Sequence, residues 1–442
     1  MTKADIIKTA FQVWGRRLYQ STSLSDIAQA LGVSKSALYR HFKSKQALLG
    51  AMYERFFDEY AAFIKPQYHT ALAQEDTRER FFIMLRISLE YYTRNRDAFI
   101  FSLIFVYSNQ DLEYMVRSMH DRGLNMGVFG CGEEGNQFYP SLAQLVIASI
   151  NFFVAYFHKY DHPGEEAPSD EQVSRFIAQV EAKLLFGLGL SHKTIEEMDF
   201  EALERRFHAG VCGFHRDSAA QELQSQDRNH KKHKRNEDGC LLKAIAAVVA
   251  EAGPWNVSMD MAARRAGLSK SGLYSHFKNK QDMIRHVFVK EFKRILRYAQ
   301  GGLTLSTVPE EQLYLVILSI VDCLRSHPEI LEAIDWLRTR RLSIDSKPPE
   351  VLQIFSAIPL KPEGLITEQI GHLILFLIIN TLMRCPPGMA RSELPNGSNR
   401  ILYRLIALGL SPPPPPPNIH EKASPDQGMV LHASNSVYST IE

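Results

Sequence analysis

Cysteine is scarce in this chain: 442 residues hold five, Cys131, Cys212, Cys240, Cys323 and Cys385, scattered and without metal-ligand spacing. That pattern excludes a disulfide framework and fits a reducing, cytoplasmic setting. Long apolar runs are missing as well. LVIASINFFVAYF from Leu145 and LILFLIIN from Leu373 fall short of the roughly 18 to 20 apolar residues a membrane helix needs. No membrane partner is expected, and both runs read as buried helices. The opening MTKADIIKTAFQVWG lacks the apolar core and small-residue site of a secretory signal and reads as the start of a helix. Net charge is only +2, so the total says nothing about partners and the distribution has to. Strand-like alternation is rare, and Gly and Pro gather at breaks such as HPGEEAPSD from His162, which predicts an all-α protein. No Ser, Cys or carboxylate stands in a recognised catalytic arrangement, and no His pair has metal-ligand geometry. Neither an enzyme, a metal nor any other cofactor is expected.

What the chain does contain is a repeat. GVSKSALYRHFKSKQ, from Gly32 to Gln46, returns as GLSKSGLYSHFKNKQ, from Gly267 to Gln281. The same register aligns Ile7 with Leu242, Ala10 with Ile245 and Ser23 with Ser258. Further on, TRNRDAFIFSLIF (Thr93 to Phe105) matches RSHPEILEAIDWL (Arg325 to Leu337) in pattern, and LLFGLGL ending at Leu190 matches RLIALGL ending at Leu410. A stretch so rich in Lys, Ser, Tyr and His makes poor core material, so its return points to a surface that touches something twice.

In the first copy Ile7, Ala10, Phe11 and Trp14 fall on one face of an amphipathic helix. SLSD then offers Ser23 as an N-cap with Asp26 three residues on, close to a capping box, and Leu24, Ile27, Ala28 and Leu31 form the buried stripe of a second helix. Gly32 ends it, and Ser34 caps a third helix predicted to run from Lys35 to about Phe42. Two helices across a glycine turn make a helix-turn-helix layout, whose second helix lies in the DNA major groove. At about 100° per residue, Leu38 and Phe42 face inward while Ser36 and Arg40 face the bases. Tyr39 and His41 flank them toward phosphates, and Lys35 stands at the helix N-terminus. A fourth helix starting near Ser44 aims its positive end, with Lys45, at a phosphate. Residues 6–50 carry seven Lys or Arg against one acid, and 241–285 seven against three. Positive charge is thus gathered on the two heads, as counterion release from nucleic acid requires.

The segments TSLSDIAQALGVSKSALYRHFKSKQALL (Thr22 to Leu49) and VSMDMAARRAGLSKSGLYSHFKNKQDMI (Val257 to Ile284) resemble the heads of the TetR family of bacterial transcriptional repressors. The resemblance covers about fifty residues per copy; beyond them only helical architecture is shared. It implies a sequence-specific regulator of double-stranded DNA, a helical body for ligand and dimerisation, and release of the operator by a small-molecule effector of unknown identity. It implies a bacterial cytoplasmic protein, nucleoid-associated when bound. By residue, it implies phosphate contacts at Thr22, Tyr39, His41 and Lys45, with Lys35, Ser36, Ala37 and Arg40 near base edges. The second copy matches with Val257, Tyr274, His276 and Lys280, and with Lys270, Ser271, Gly272 and Ser275. Where the family has a glycine before an aromatic, the first copy reads Leu18-Tyr19 and the second Gly253-Pro254-Trp255, and the second copy also departs at Met261 to Ala263, where DIA becomes MAA. The second copy's departures and Gly272, inside its recognition helix, predict a less stable, weaker second head.

The expected organisation is a DNA-binding head at 1–50, a body at 51–210, a polar basic linker at 211–238, a second head at 239–285, a second body at 286–410 and a disordered Pro-rich tail at 411–442. RFFIMLRISLEYY (Arg80 to Tyr92) and AFIFSLIFVY (Ala98 to Tyr107) suit either plain core or the wall of an effector pocket. In the resembled family the last two body helices pair subunits. Here these are about Leu142 to Lys159 with Gln172 to Leu188, and about Thr367 to Arg384 with Asn399 to Leu408. One chain could close an intramolecular pseudo-dimer, or each half could pair in a homodimer. The run HKKHKR (His230 to Arg235) reads as solvated linker or as a DNA-reaching arm. In the alternative reading of function, only the first head binds DNA and the second is structural.

Overall fold

The computed structural model describes residues 2–16, 23–75, 77–106, 112–125, 142–164, 166–210, 241–249, 251–252, 257–326, 349–361, 367–383 and 397–410. All regular structure among them is helical, in two tandem units that each join a three-helix head to a helical bundle. The linker with its basic run, the Pro-rich tail, Thr22, Leu18-Tyr19 and Gly253-Pro254-Trp255 lie outside the described residues, as does most of the stretch matched to Thr93–Phe105.

In the first head, α1 (Lys3–Arg16) buries Ile6, Ile7, Ala10, Phe11 and Trp14 on one face. Ser23 caps α2 (Leu24–Ala30) through the expected capping box with Asp26, and Leu24, Ile27 and Ala28 are buried. Gly32 takes the left-handed turn at φ 67°. The third helix, α3 (Lys35–Tyr39), closes three residues sooner than its spacing predicts. The His41 amide donates to the Leu38 carbonyl at 3.0 Å, tightening the chain into a turn that still buries Phe42.

The long α4 (Lys45–Leu72) leaves the head and enters the body, burying Leu48, Met52, Phe56, Tyr60 and Ile64 along one face. Around it stand α5 (Thr77–Arg94), α6 (Arg96–Phe101), a π-helical turn at Ser102–Val106, and α7 (Leu112–His120). The aromatic-rich segments pack ring on ring, Tyr60 lying 4.9 Å from Tyr91 and Phe56 5.5 Å from Phe101 between centroids. Phe101 also meets Phe11 at 4.8 Å, so the head is seated on the body by aromatic contacts.

The first unit continues through α8 (Leu142–Tyr156), α9 (Asp170–Phe186), α10 (His192–Glu196) and α11 (200–210). The second unit runs α12 (241–249), α13 (Met259–Arg265), α14 (Lys270–Tyr274), α15 (Lys280–Leu303), α16 (Pro309–Ser326), α17 (Pro349–Ser356), α18 (Glu368–Met383) and α19 (Gly397–Leu408). Helices α8 and α9 lie against α18 and α19. Phe152 packs on Phe376 at 5.5 Å, and the Lys183 ammonium donates to the Gln369 side-chain carbonyl. At the ends of α9 and α19 the backbones touch: the Leu188 amide donates to the Ile406 carbonyl at 2.8 Å, and the Leu410 amide to the Leu184 carbonyl at 2.8 Å. Helix α11 crosses onto the second unit. There Arg400 forks onto the Glu204 carboxylate at 3.0 and 2.8 Å, the Tyr314 hydroxyl donates to it at 2.6 Å, and Phe200 packs 5.0 Å from the Tyr314 ring. No helix of the described residues is long and apolar enough to cross a membrane.

Candidate nucleic-acid interface

Local chemistry positions the recognition helices in the same way twice. Ser34 accepts the Ala37 amide at 3.2 Å and Ser269 accepts the Gly272 amide at 3.0 Å, each fixing the first turn of α3 or α14. Leu38 and Leu273 are fully buried, as are Phe42 and Phe277 to within 5%. With the inward face pinned, the opposite face is turned out: Lys35, Ser36, Tyr39 and Arg40 are exposed, and so are Lys270, Ser271, Tyr274 and Ser275. Ala37, His41, Gly272 and His276 sit half-buried at the margins. Val257, matched to Thr22, is buried to 1% and carries no donor on its side chain.

Lys45 and Lys280 open α4 and α15 just past the N-caps Ser44 and Asn279. Partial burial pushes both ammonium groups below their usual range, a shift that Asp26 opposes at Lys45. A cation short of water at a helix N-terminus gains from an incoming phosphate on both counts.

The two heads differ in what their cations do. In the first, the Lys35 ammonium lies 5.7 Å over the Tyr39 ring of its own helix. In the second, Lys270 reaches Asp260 on α13 at 3.3 Å. Asp260 was not singled out from the sequence, although its signal was there: the first copy has Ser25 at the matching position. Ser275, which replaces Arg40, donates its hydroxyl to the Gly272 carbonyl at 2.6 Å and so is satisfied within its own helix.

Gly272 has no need of its freedom. A Cβ there meets the Ser269 hydroxyl at 3.2 Å, and Ala37 in the first head stands in that setting with the capping bond only slightly longer. Gly272→Ala is therefore expected to stabilise the second head by about 0.5–1 kcal/mol. Chemical denaturation should show it as a raised midpoint at unchanged slope; a lowered midpoint would mean that Ser269 cannot yield.

A capped helix, a left-handed glycine turn and a second short helix with a cationic outer face define a helix-turn-helix head, present here in two copies. The family described as bacterial regulatory proteins, tetR family, matches at residues 6–52 and again at 241–287. The chain thus carries the tetR family's DNA-binding segment twice, in two tandem TetR-like units. Among similar proteins are two of Bacillus subtilis (strain 168). The uncharacterized HTH-type transcriptional regulator YerO is 26% identical over 194 residues, 43% of this chain. The uncharacterized HTH-type transcriptional regulator YuxN is 41% identical over 54 residues, 12% of this chain. The chain spans 66% and 19% of the lengths of those two relatives. The crystal structure of the TetR family transcriptional regulator PfmR from Thermus thermophilus is 21% identical and aligns over 40% of this chain and 96% of its own, with a TM-score of 0.27.

Proposed function

We propose that the chain is a sequence-specific regulator that binds double-stranded DNA through α3 and α14, and that it represses transcription until a small molecule bound in a body releases it. The observation that carries this reading is the repeated cationic, solvent-facing helix, held by the same caps and the same buried Leu and Phe in both heads. Lys35, Ser36, Ala37 and Arg40, with Lys270, Ser271, Gly272 and Ser275, approach base edges. Tyr39, His41 and Lys45, with Tyr274, His276 and Lys280, approach phosphates, and Thr22 joins them by resemblance to the family. The packing of α8 and α9 on α18 and α19 favours an intramolecular pseudo-dimer, one chain doing the work of two subunits. The aromatic seat of α1 on α6 gives a ligand in the first body a path to its head. Cytoplasmic residence follows from the same reading.

Footprinting on the DNA beside its own gene tests the proposal; two protected major-groove tracts about one helical turn apart are expected. A specific observation favours the second reading, in which only the first head binds: Lys270 and Ser275 are both engaged within the second head. Lys45→Ala and Lys280→Ala separate the two. A working phosphate contact weakens binding on all sequences and lowers the salt slope by about one. If Lys280→Ala changes neither while Lys45→Ala changes both, the second head is structural.

A further inference from the structure

We infer that Asp260 is a specificity-determining residue: by holding the Lys270 ammonium, it makes the second head the weaker reader, and the chain recognises a lopsided, non-palindromic duplex site. The inference rests on the proposed DNA-binding function and deepens it.

A regulator assembled from identical subunits presents identical heads, so its site tends to a palindrome. Two heads joined in one chain are released from that constraint and can diverge. The recognition stretch keeps most of its residues between the two heads, and the few changes around it fall at positions matched to DNA contacts or beside them. Caps, glycine turn, buried Leu and buried Phe are kept, while three changes each weaken the second head's hold on a polyanion: one loses a cation, one loses a hydroxyl and one gains a carboxylate. Arg40, able to fork onto a guanine edge, is replaced by Ser275, whose hydroxyl is bound to the Gly272 carbonyl. Thr22 is replaced by the buried Val257. Ser25 is replaced by Asp260, whose carboxylate lies 3.3 Å from Lys270.

Of the three, only Asp260 acts on a cation that the second head still has. Both side chains are about half exposed, so the pair itself adds little stability. Its effect appears at a polyanion: to meet a phosphate or a base, Lys270 has to leave Asp260, and Asp260 adds a negative charge to the approaching face. A purely structural role, complementing the positive end of α13, is already served in part by the Ser258 cap, which accepts the Met261 amide at 3.2 Å. The first head manages with Ser25 in that place.

The test uses the full chain and a random-sequence duplex library. The wild type should enrich one information-rich half-site beside a poor one. Asp260→Ser should raise affinity for the enriched duplex about fivefold and steepen the salt slope by about one. Ser25→Asp in the first head should do the reverse. In a Lys270→Ala background, Asp260→Ser should gain little, because its partner is gone. Enrichment of no sequence by the wild type sinks the proposed function itself. Enrichment of a palindrome with equal halves, or an Asp260→Ser chain matching the wild type in affinity and salt slope, overturns the inference while leaving DNA binding intact. So does a gain that persists undiminished without Lys270. Thermal melting of each variant separates these readouts from loss of fold.

Discussion

Replacing Gly187 with alanine is expected to pry the two units apart. Gly187 ends α9 at φ 53°, and a Cβ on it would stand 2.5 Å from the Gly409 nitrogen and 2.5 Å from the Ile406 carbonyl oxygen. Both neighbours are backbone, so no rotamer change relieves the clash. The chain must either move α19 away, losing the bonds from Leu188 to Ile406 and from Leu190 to Ala407, or rebuild the end of α9. A cost of about 2–4 kcal/mol follows from overpacking added to left-handed strain. Gly189→Ala is the control. Gly189 has φ 66° but nothing within 4 Å of its Cβ position, so it bears the backbone strain alone, about 1 kcal/mol. Calorimetry should show the Gly187 variant melting well below the Gly189 variant, with the units unfolding in separate steps. Equal melting of the two variants would mean that the close approach of the backbones is not what joins the units.

The second large effect is expected at Arg40. Exposed at the end of α3 and carrying the forked donors that suit a guanine edge, it should cost about 1–3 kcal/mol of binding when changed to Ala, with discrimination relaxed at one base position. Ser275→Ala, at the matching place, should cost little, because that hydroxyl is already committed to the Gly272 carbonyl. Anisotropy titrations on a cognate duplex and single-base variants check both. A loss for Arg40→Ala that is uniform over all sequences would make Arg40 a phosphate contact instead.

The heads were legible from the sequence almost residue by residue. Ser23 with Asp26, Gly32, Ser34 and Ser44 each act on amides or turns within four residues, and Leu38 and Phe42 bury against helices encoded within the preceding forty residues. Two details were misread: α3 was carried to Phe42 by treating Arg40 and His41 as helical where the chain tightens, and Leu31, assigned to the buried stripe of α2, is half-buried. The proposed effector pocket was not legible. Tyr60, Tyr91, Phe101 and their neighbours satisfy one another as packed rings, and the same composition serves a core or a cavity wall.

By itself the sequence determined the all-α class, the two heads and their outward cationic faces, because capping, helical period and glycine turns are local and the duplication states them twice. Tertiary structure alone decided the rest. Glu204 on α11 is seated against Arg400 and Tyr314 of the other unit, Asp260 holds Lys270, and Gly187 meets Gly409. Each of these partnerships joins positions that local rules already explain in another way: Glu204 as one more helix-surface acid, Gly187 and Gly409 as ordinary helix ends. Contacts between distant segments depend on how helices are brought together in space, and no periodicity within either segment encodes that.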